Sequence, residues 1–118
     1  MSDLVCLPIS LATAEHYRWG EGCDGWHLVK TPVLSIIQER MPSGAQEVRH
    51  YHERAYQFFF VLAGEATLEI NGVAHRLQAQ QGLAVPPRAV HQLRNESGQE
   101  LHFTVTSQPP SHGDRILV

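Results

Sequence analysis

Two histidines, His50 and His52, are separated by a single residue, and Gln57 follows five positions later. In a β-strand successive side chains point to opposite faces, so these two imidazoles share a face with their Cα atoms roughly 7 Å apart. A third histidine, His91, follows Pro86-Pro87 at the start of another predicted strand. A hairpin between the two stretches would return His91 to the first pair.

Three convergent imidazoles suit Zn, Fe, Mn, Ni or Cu, and a site with three protein ligands keeps a position open for water or substrate. The chain has eight histidines, so a His-x-His pair alone decides little and the third histidine carries the argument. The alternative is a barrel without metal, whose polar pocket binds an organic ligand. The other five histidines are expected in loops or on the surface, although His102 could enter the barrel: His16, His27, His75, His102 and His112.

The elements that position these residues are short extended segments separated by Gly, Pro and Asn, with almost nothing at helical period. Asn71-Gly72 predicts a type I′ hairpin, because both residues tolerate positive φ. Eight or nine short strands favour a jelly roll or closed barrel, which hides the sheet edges. The predicted strands are 26–30, 33–41, 47–52, 57–62, 66–70, 73–77, 83–85, 91–94 and 101–107.

The two ends of the chain are predicted to be less regular. Residues 1–25 are expected to be irregular, with a turn or two of helix at 10–16 and a glycine-rich loop between Trp19 and Trp26. That loop is either a lid over a pocket or, more simply, a pair of tryptophans plugging one end of the core. Prolines exclude the tail from a central strand. We therefore expect an N-terminal segment with an edge strand (1–32), a barrel (33–107) and a C-terminal tail (108–118).

Composition excludes several function classes. The chain has 118 residues, enough for one domain, and a formal net charge of -3 with its basic residues scattered singly. Nucleic-acid binding requires a basic stripe, so no nucleic-acid partner is expected. No stretch approaches the roughly 18 apolar residues of a membrane span, and no signal peptide is evident. A cytoplasmic protein is the default expectation.

The motif Gly44-x5-His50-x-His52-x4-Gln57-x6-Gly64 resembles the first motif of the cupins, and Pro86-Pro87-Arg88-Ala89-Val90-His91-x3-Asn95 resembles the second. The resemblance covers roughly residues 33–107. It implies a single-domain, all-β, double-stranded β-helix, the cupin jelly-roll barrel, with metal ligands projecting inward from both motifs. Two glycines of the second motif are replaced, by Gln80 and Arg88.

The third departure from the motif is chemical, because Gln57 stands where cupins usually have a glutamate ligand. An amide oxygen can coordinate a divalent cation but leaves its charge at +2, so the ion would be held more weakly and be a stronger Lewis acid. Alternatively, Gln57 does not ligate and the site has three histidines only. Glu53 is a substitute ligand only if the strand does not continue through it.

The strand after Gln57 predicts both a pocket and an interface. If Gln57 points inward, so do Phe59 and Val61, while Phe58, Phe60 and Leu62 take the outer face. Apolar residues on an outer face favour a homodimer. A mostly apolar inner wall would suit a small, partly apolar ligand; its predicted members are Phe59, Val61, Leu83, Val85 and Phe103. Arg88 would lie near the mouth, either pairing with a substrate carboxylate or simply solvated.

Two classes of function fit these residues. The first is a metalloenzyme holding a divalent transition metal (Zn, Mn, Fe or Ni) on His50, His52, Gln57 and His91. It would act on a small oxygen-bearing organic substrate, as cupin dioxygenases and isomerases do, with Glu39 or Glu53 as candidate acid–base residues. The second is a non-catalytic module that binds a sugar or organic acid. The fold does not choose between them.

Overall fold

The computed structural model describes residues 6–118, which form an all-β jelly roll, as predicted. Side chains alternate between the two faces of most strands, as in Leu101–Gln108, where every second residue is buried. The strands are β1 Glu15–Trp19, β2 Cys23–Lys30, β3 Ser35–Met41, β4 His50–His52, β5 Tyr56–Ala63, β6 Ala66–Ile70, β7 Val73–Leu77, β8 Gly82–Val85, β9 His91–Arg94, β10 Leu101–Gln108 and β11 Arg115–Leu117.

Two antiparallel sheets face each other. One has six strands in the order β1-β2-β3-β10-β5-β8, and the other has five in the order β11-β4-β9-β6-β7. The inner faces form a core that includes the stacked rings of Phe59 and Phe103, with centroids 6.3 Å apart. Within the described residues, no helix is long and apolar enough to cross a membrane.

Several turns contain residues with a positive φ angle, in the left-handed region of backbone conformation. Asn71 and Gly72, with φ of 49° and 84°, join β6 to β7 and confirm the predicted hairpin. Gln80 and Arg88 both have φ of 69°. These are the two positions where the second cupin motif has glycines, so the chain keeps the backbone shape of the motif without its residues.

The N-terminal part of the chain is more regular than its glycines suggest. Of the helical turns predicted at 10–16, one turn is present, in which the Ala14 N–H donates to the Ser10 carbonyl at 2.8 Å. The predicted loop between Trp19 and Trp26 is wrong, because β1 and β2 form a hairpin there. Gly20 and Gly22, with φ of 53° and 74°, make its turn. Trp19 packs against the core. The hairpin extends the six-stranded sheet beyond β3.

The C-terminal tail lies at the edge of the five-stranded sheet, where β11 pairs with β4. Asp114 fastens it: the side-chain carboxylate accepts backbone N–H groups from Glu53, Arg54 and Ala55 at 2.9–3.1 Å. Burial alone would raise the pKa of Asp114, but these three donors hold it below its usual range. Residues 109–113 are thereby fixed along one side of the cavity described below.

Candidate metal centre

The structure brings His50, His52 and His91 together on the inner face of the five-stranded sheet. His50 and His91 are register partners on β4 and β9, and their ring centroids are 4.4 Å apart. His52 lies on the same face as His50, with ring centroids 4.9 Å apart. One ring nitrogen from each histidine lies within 4.8 Å of the others, so this group has the geometry to hold a metal ion.

Backbone carbonyls orient two of these rings. The Nδ1–H of His50 donates to the Val48 carbonyl at 2.7 Å, and that of His91 donates to the Ala89 carbonyl at 2.8 Å. A carbonyl oxygen only accepts, so each Nδ1 carries the proton and each Nε2 keeps its lone pair. Burial lowers the pKa of His50 to about 4 and also lowers those of His52 and His91. The imidazoles are therefore neutral, as metal ligands must be.

Gln57 faces these histidines from β5, on the opposite sheet. It is 5% exposed, and its side-chain amide donates to the hydroxyl of Ser107 at 3.0 Å. Ser107 is its register partner on β10. This bond fixes the amide nitrogen and leaves Oε1 buried without a hydrogen-bond partner.

Buried polar atoms without a hydrogen-bond partner indicate whether the residues of the site suit a metal. Among residues 6–118, four buried side-chain polar atoms have no hydrogen-bond partner, and three belong to the predicted ligand set: His52 Nδ1, Gln57 Oε1 and His91 Nε2. Buried polar atoms are rarely left unpaired, because desolvation then costs about 1–3 kcal/mol each. Their grouping fits a site built to coordinate a cation.

A cavity of about 870 Å³ lies between the two sheets, and His50, His52 and Gln57 border it. Of the five residues predicted for an apolar wall, only Phe59 borders this cavity. The predicted members of the wall are therefore wrong apart from Phe59: Val61, Val85 and Phe103 belong to the core instead, with Leu83 packed against them.

Protonatable residues border the cavity, three of them on β1, β2 and β3. Tyr17, His27, Glu39 and Glu47 all border the cavity, and only Glu39 was a predicted candidate. Burial raises the pKa of Glu39 to about 7 and that of Glu47 to about 8, where the charge of Glu39 adds to the effect. No sequence signal identified the other three: the pairing of β1 with β2 brings Tyr17 and His27 to the cavity, and Glu47 reaches it from the segment before β4.

The remaining predicted residues lie elsewhere. Glu53 is exposed and forms an ion pair with Arg88 at 3.6 Å, and neither residue borders the cavity. His102 is on the outer face of β10, near Glu100. His27 corrects the expectation of a surface or loop position, since it borders the cavity with its Nδ1 buried and unpaired. His112 is exposed at the cavity edge.

The fold and the motif together define the class of protein. Residues 37–107, more than half of the chain, match the Cupin_2 family, described as Cupin domain, and the chain belongs to this family. Solved structures of cupins share the fold at low sequence identity. A cupin of the RmlC type from Shewanella frigidimarina superposes with a TM-score of 0.79, at 24% identity over 86% of this chain and 89% of the other.

Two further similarities are to proteins whose names state an activity. The oxidoreductase macE of Penicillium terrestre is 31% identical over 90 residues, which are 73% of this chain and 35% of that protein. The chain thus spans about a third of the length of this curated relative. The polyketide cyclase RemF of Streptomyces resistomycificus has a TM-score of 0.82 at 14% identity, over 97% of this chain and 86% of the other.

Proposed function

We propose that this cupin is a metalloenzyme that acts on a small oxygen-bearing organic substrate, with His50, His52, His91 and Gln57 holding a divalent transition metal. The observation that carries the proposal is the convergence of three neutral, buried imidazoles beside a cavity large enough for an organic ligand. When bound, the metal would supply a Lewis acid, or a redox centre, to substrate oxygens.

Hydrogen bonds within the chain orient the side chains of this site. The carbonyls of Val48 and Ala89 fix two imidazole rings, and Ser107 fixes the amide of Gln57. Because Gln57 is neutral, the site would leave the full charge on the cation and favour polarisation of a carbonyl. Arg54 and Arg115 border the cavity and favour a substrate that carries an anionic or strongly polar group.

The similarities support an enzyme and leave two reaction classes in view. The relative from Penicillium terrestre is an oxidoreductase by name, which favours dioxygenase-like chemistry. RemF is a polyketide cyclase by name, and its structural likeness agrees with isomerase- or cyclase-like proton transfer. The polar wall around Glu39 favours the second class.

Metal analysis of purified variants tests the proposal. We expect wild type to retain about one divalent ion per chain and His91→Ala to lose most of it, by mass spectrometry after dialysis against a weak chelator. His102→Ala is the matched control, because His102 lies outside the cavity. Equal metal content in wild type and His91→Ala would refute the site.

A second assay separates the reaction classes. Metal-loaded protein is supplied with catechols, flavonols and diketones while oxygen uptake and product formation are followed. Oxygen uptake that depends on His91 would establish the dioxygenase branch, and product without oxygen uptake would establish the isomerase branch. Ligand-induced thermal stabilisation without turnover of any substrate would favour the binding module instead.

We further propose that the protein is a homodimer that buries the outer face of β5. Phe58 and Phe60 stack there with ring centroids 6.1 Å apart, and Phe58 is 42% exposed. Sedimentation of Phe58→Ser should show dissociation at concentrations where wild type is dimeric. Val73→Ser, an exposed apolar residue on the other sheet, is the control. A monomeric wild type at micromolar concentration would refute the dimer.

A further inference from the structure

Three residues on neighbouring strands form a row in the wall of the cavity. Tyr17 on β1 is the register partner of Gly25 on β2, and Gly25 is the register partner of Glu39 on β3. A Cβ on Gly25 would lie 2.1 Å from Cζ of Tyr17. The tyrosine side chain therefore crosses the middle strand through the space that the glycine leaves open.

The crossing brings the tyrosine hydroxyl to the carboxyl group of Glu39. The hydroxyl of Tyr17 donates to Oε2 of Glu39 at 2.6 Å. In the described part of the chain, the other carboxyl oxygen, Oε1, makes no hydrogen bond, and Glu39 borders the cavity. Burial raises the pKa of the carboxyl to about 7, and the hydrogen bond from Tyr17 opposes this rise.

We propose that Glu39 is the catalytic base of this cupin and that Tyr17 positions it, for substrates that carry a proton on carbon next to a carbonyl group. This inference rests on the proposed metal site, which would hold the substrate oxygens. It deepens that function by naming enolisable hydroxyketones and diketones as the substrate class.

The proton transfer balances without an oxidant. Oε1 of ionised Glu39 takes the proton from the substrate carbon, and the electron pair of the broken C–H bond forms a C=C bond. The π electrons of the carbonyl move onto its oxygen, so the product is an enolate beside a neutral Glu39. For a hydroxyketone, return of the proton to the former carbonyl carbon, with transfer of the hydroxyl proton to the enolate oxygen, completes an isomerisation. Attack of the enolate on a second carbonyl would close a ring, and the proton on Glu39 would then pass to the new alkoxide.

The groups around Glu39 allow it to change charge near neutral pH. Tyr17 faces it from β1 and His27 lies beside Tyr17 with ring centroids 4.9 Å apart. Burial raises the pKa of Cys23 on β2 and of Glu47, and both lie close enough for the charge of Glu39 to add to the rise. Two negative charges in the same wall are disfavoured, which is why the charge of Glu39 contributes to the raised pKa of Glu47.

Hydrogen exchange of hydroxyacetone in D₂O tests the catalytic role. For metal-loaded wild type, proton NMR should show loss of the signal of the carbon-bound protons next to the carbonyl. Glu39→Gln should slow this exchange about 10²–10⁴-fold while the affinity for hydroxyacetone, measured by calorimetry, changes less than about twofold. Glu53→Gln, an exposed glutamate outside the cavity, should match wild type in both.

A second readout requires neither metal nor substrate. In metal-free protein labelled with ¹³C at glutamate carboxyls, the resonance that Glu39→Gln removes should titrate near neutral pH. Tyr17→Phe should raise that pKa further, since the variant lacks the hydroxyl that stabilises the carboxylate. Titration of this resonance near pH 4 in wild type would overturn the inference.

The outcomes separate the two proposals. Wild-type exchange rates in Glu39→Gln would overturn the role of Glu39, as would wild type that holds metal and hydroxyacetone without exchanging it. Both results leave the metal site standing. Wild type that takes up no metal would overturn the proposed function itself, and the carboxyl titration would then still decide whether Glu39 carries a proton near neutral pH.

Discussion

Gly25→Ala tests how the tyrosine reaches the glutamate. The added Cβ would lie 2.1 Å from Cζ of Tyr17, whereas ordinary contacts begin at 3.4 Å, so the ring must move by at least 3.4 − 2.1 = 1.3 Å. Such a shift breaks the 2.6 Å bond to Glu39. A hydrogen bond to a carboxylate contributes about 1.5–3 kcal/mol, and the ring also loses packing. We expect the free energy of unfolding to fall by about 3 kcal/mol.

A double-mutant cycle separates this contact from a general effect of alanine in β2. In a Tyr17→Ala background the clash is absent, and alanine is favoured over glycine within a strand by roughly 0.5–1 kcal/mol. Gly25→Ala should therefore cost about 3 kcal/mol in wild type and stabilise Tyr17→Ala by about 0.5–1 kcal/mol, which gives a coupling energy of about 3.5–4 kcal/mol.

Urea unfolding of the four proteins in the cycle measures this coupling. Gly98→Ala is the control, because Gly98 has ordinary φ and nothing lies within 4 Å of its Cβ position. It should leave stability within about 0.5 kcal/mol of wild type. If Gly25→Ala lowers stability equally with and without Tyr17, the tyrosine does not depend on the glycine and the argument for the row is refuted.

Three further predictions concern Gln57, the left-handed turns and the tail. Gln57→Glu should tighten metal binding at least tenfold, about 1.4 kcal/mol, since an anionic ligand replaces a neutral one; unchanged affinity in chelator competition would place residue 57 outside the ligand set. Gln80→Gly should stabilise the fold by about 1 kcal/mol by relieving its positive φ. Its control, Ala79→Gly, should destabilise by about 0.5–1 kcal/mol, and a loss of stability at position 80 would contradict the prediction. Asp114→Asn should cost about 1–3 kcal/mol at neutral pH. The stability from this group is present above the unfolded pKa of about 3.9 and is lost as pH falls through the lower folded pKa, so wild type and variant should converge in acid; a gap that persists there would contradict the prediction.

The grouping of the candidate metal ligands was predictable because its signal is local. Alternation along a strand puts His50 and His52 on one face, and it puts Gln57 inward with Phe59 and Val61, which are all buried. The motif spacing then supplied His91. Even Gln80 and Arg88, which replace glycines of the motif, keep a positive φ of 69°.

The contact between Tyr17 and Glu39 was not predictable, because it depends on the register between strands that are distant in the sequence. Three glycines between Trp19 and Trp26 indicated a loop, yet only two of them form the turn. Gly25 lies within β2 and leaves space for the Tyr17 ring. Composition alone cannot distinguish such a glycine from one in a loop. The alternation of apolar and polar residues shows which face of a strand is buried but does not show which strand lies beside it. Nothing in the sequence therefore placed Glu39 two strands away from Tyr17.

The two halves of the cavity favour one class of reaction when they are considered together. Imidazoles from the five-stranded sheet offer lone pairs, and the six-stranded sheet offers a neutral amide together with a carboxyl that changes charge near pH 7. A glutamate at position 57 would add negative charge to this wall and weaken the cation as a Lewis acid. With Gln57, the carboxyls that border the cavity within residues 6–118 are those of Glu39 and Glu47, and burial raises the pKa of both. In the proposed enolisation, the metal ligands would thus stabilise the charge on the substrate oxygen and Glu39 would transfer the proton.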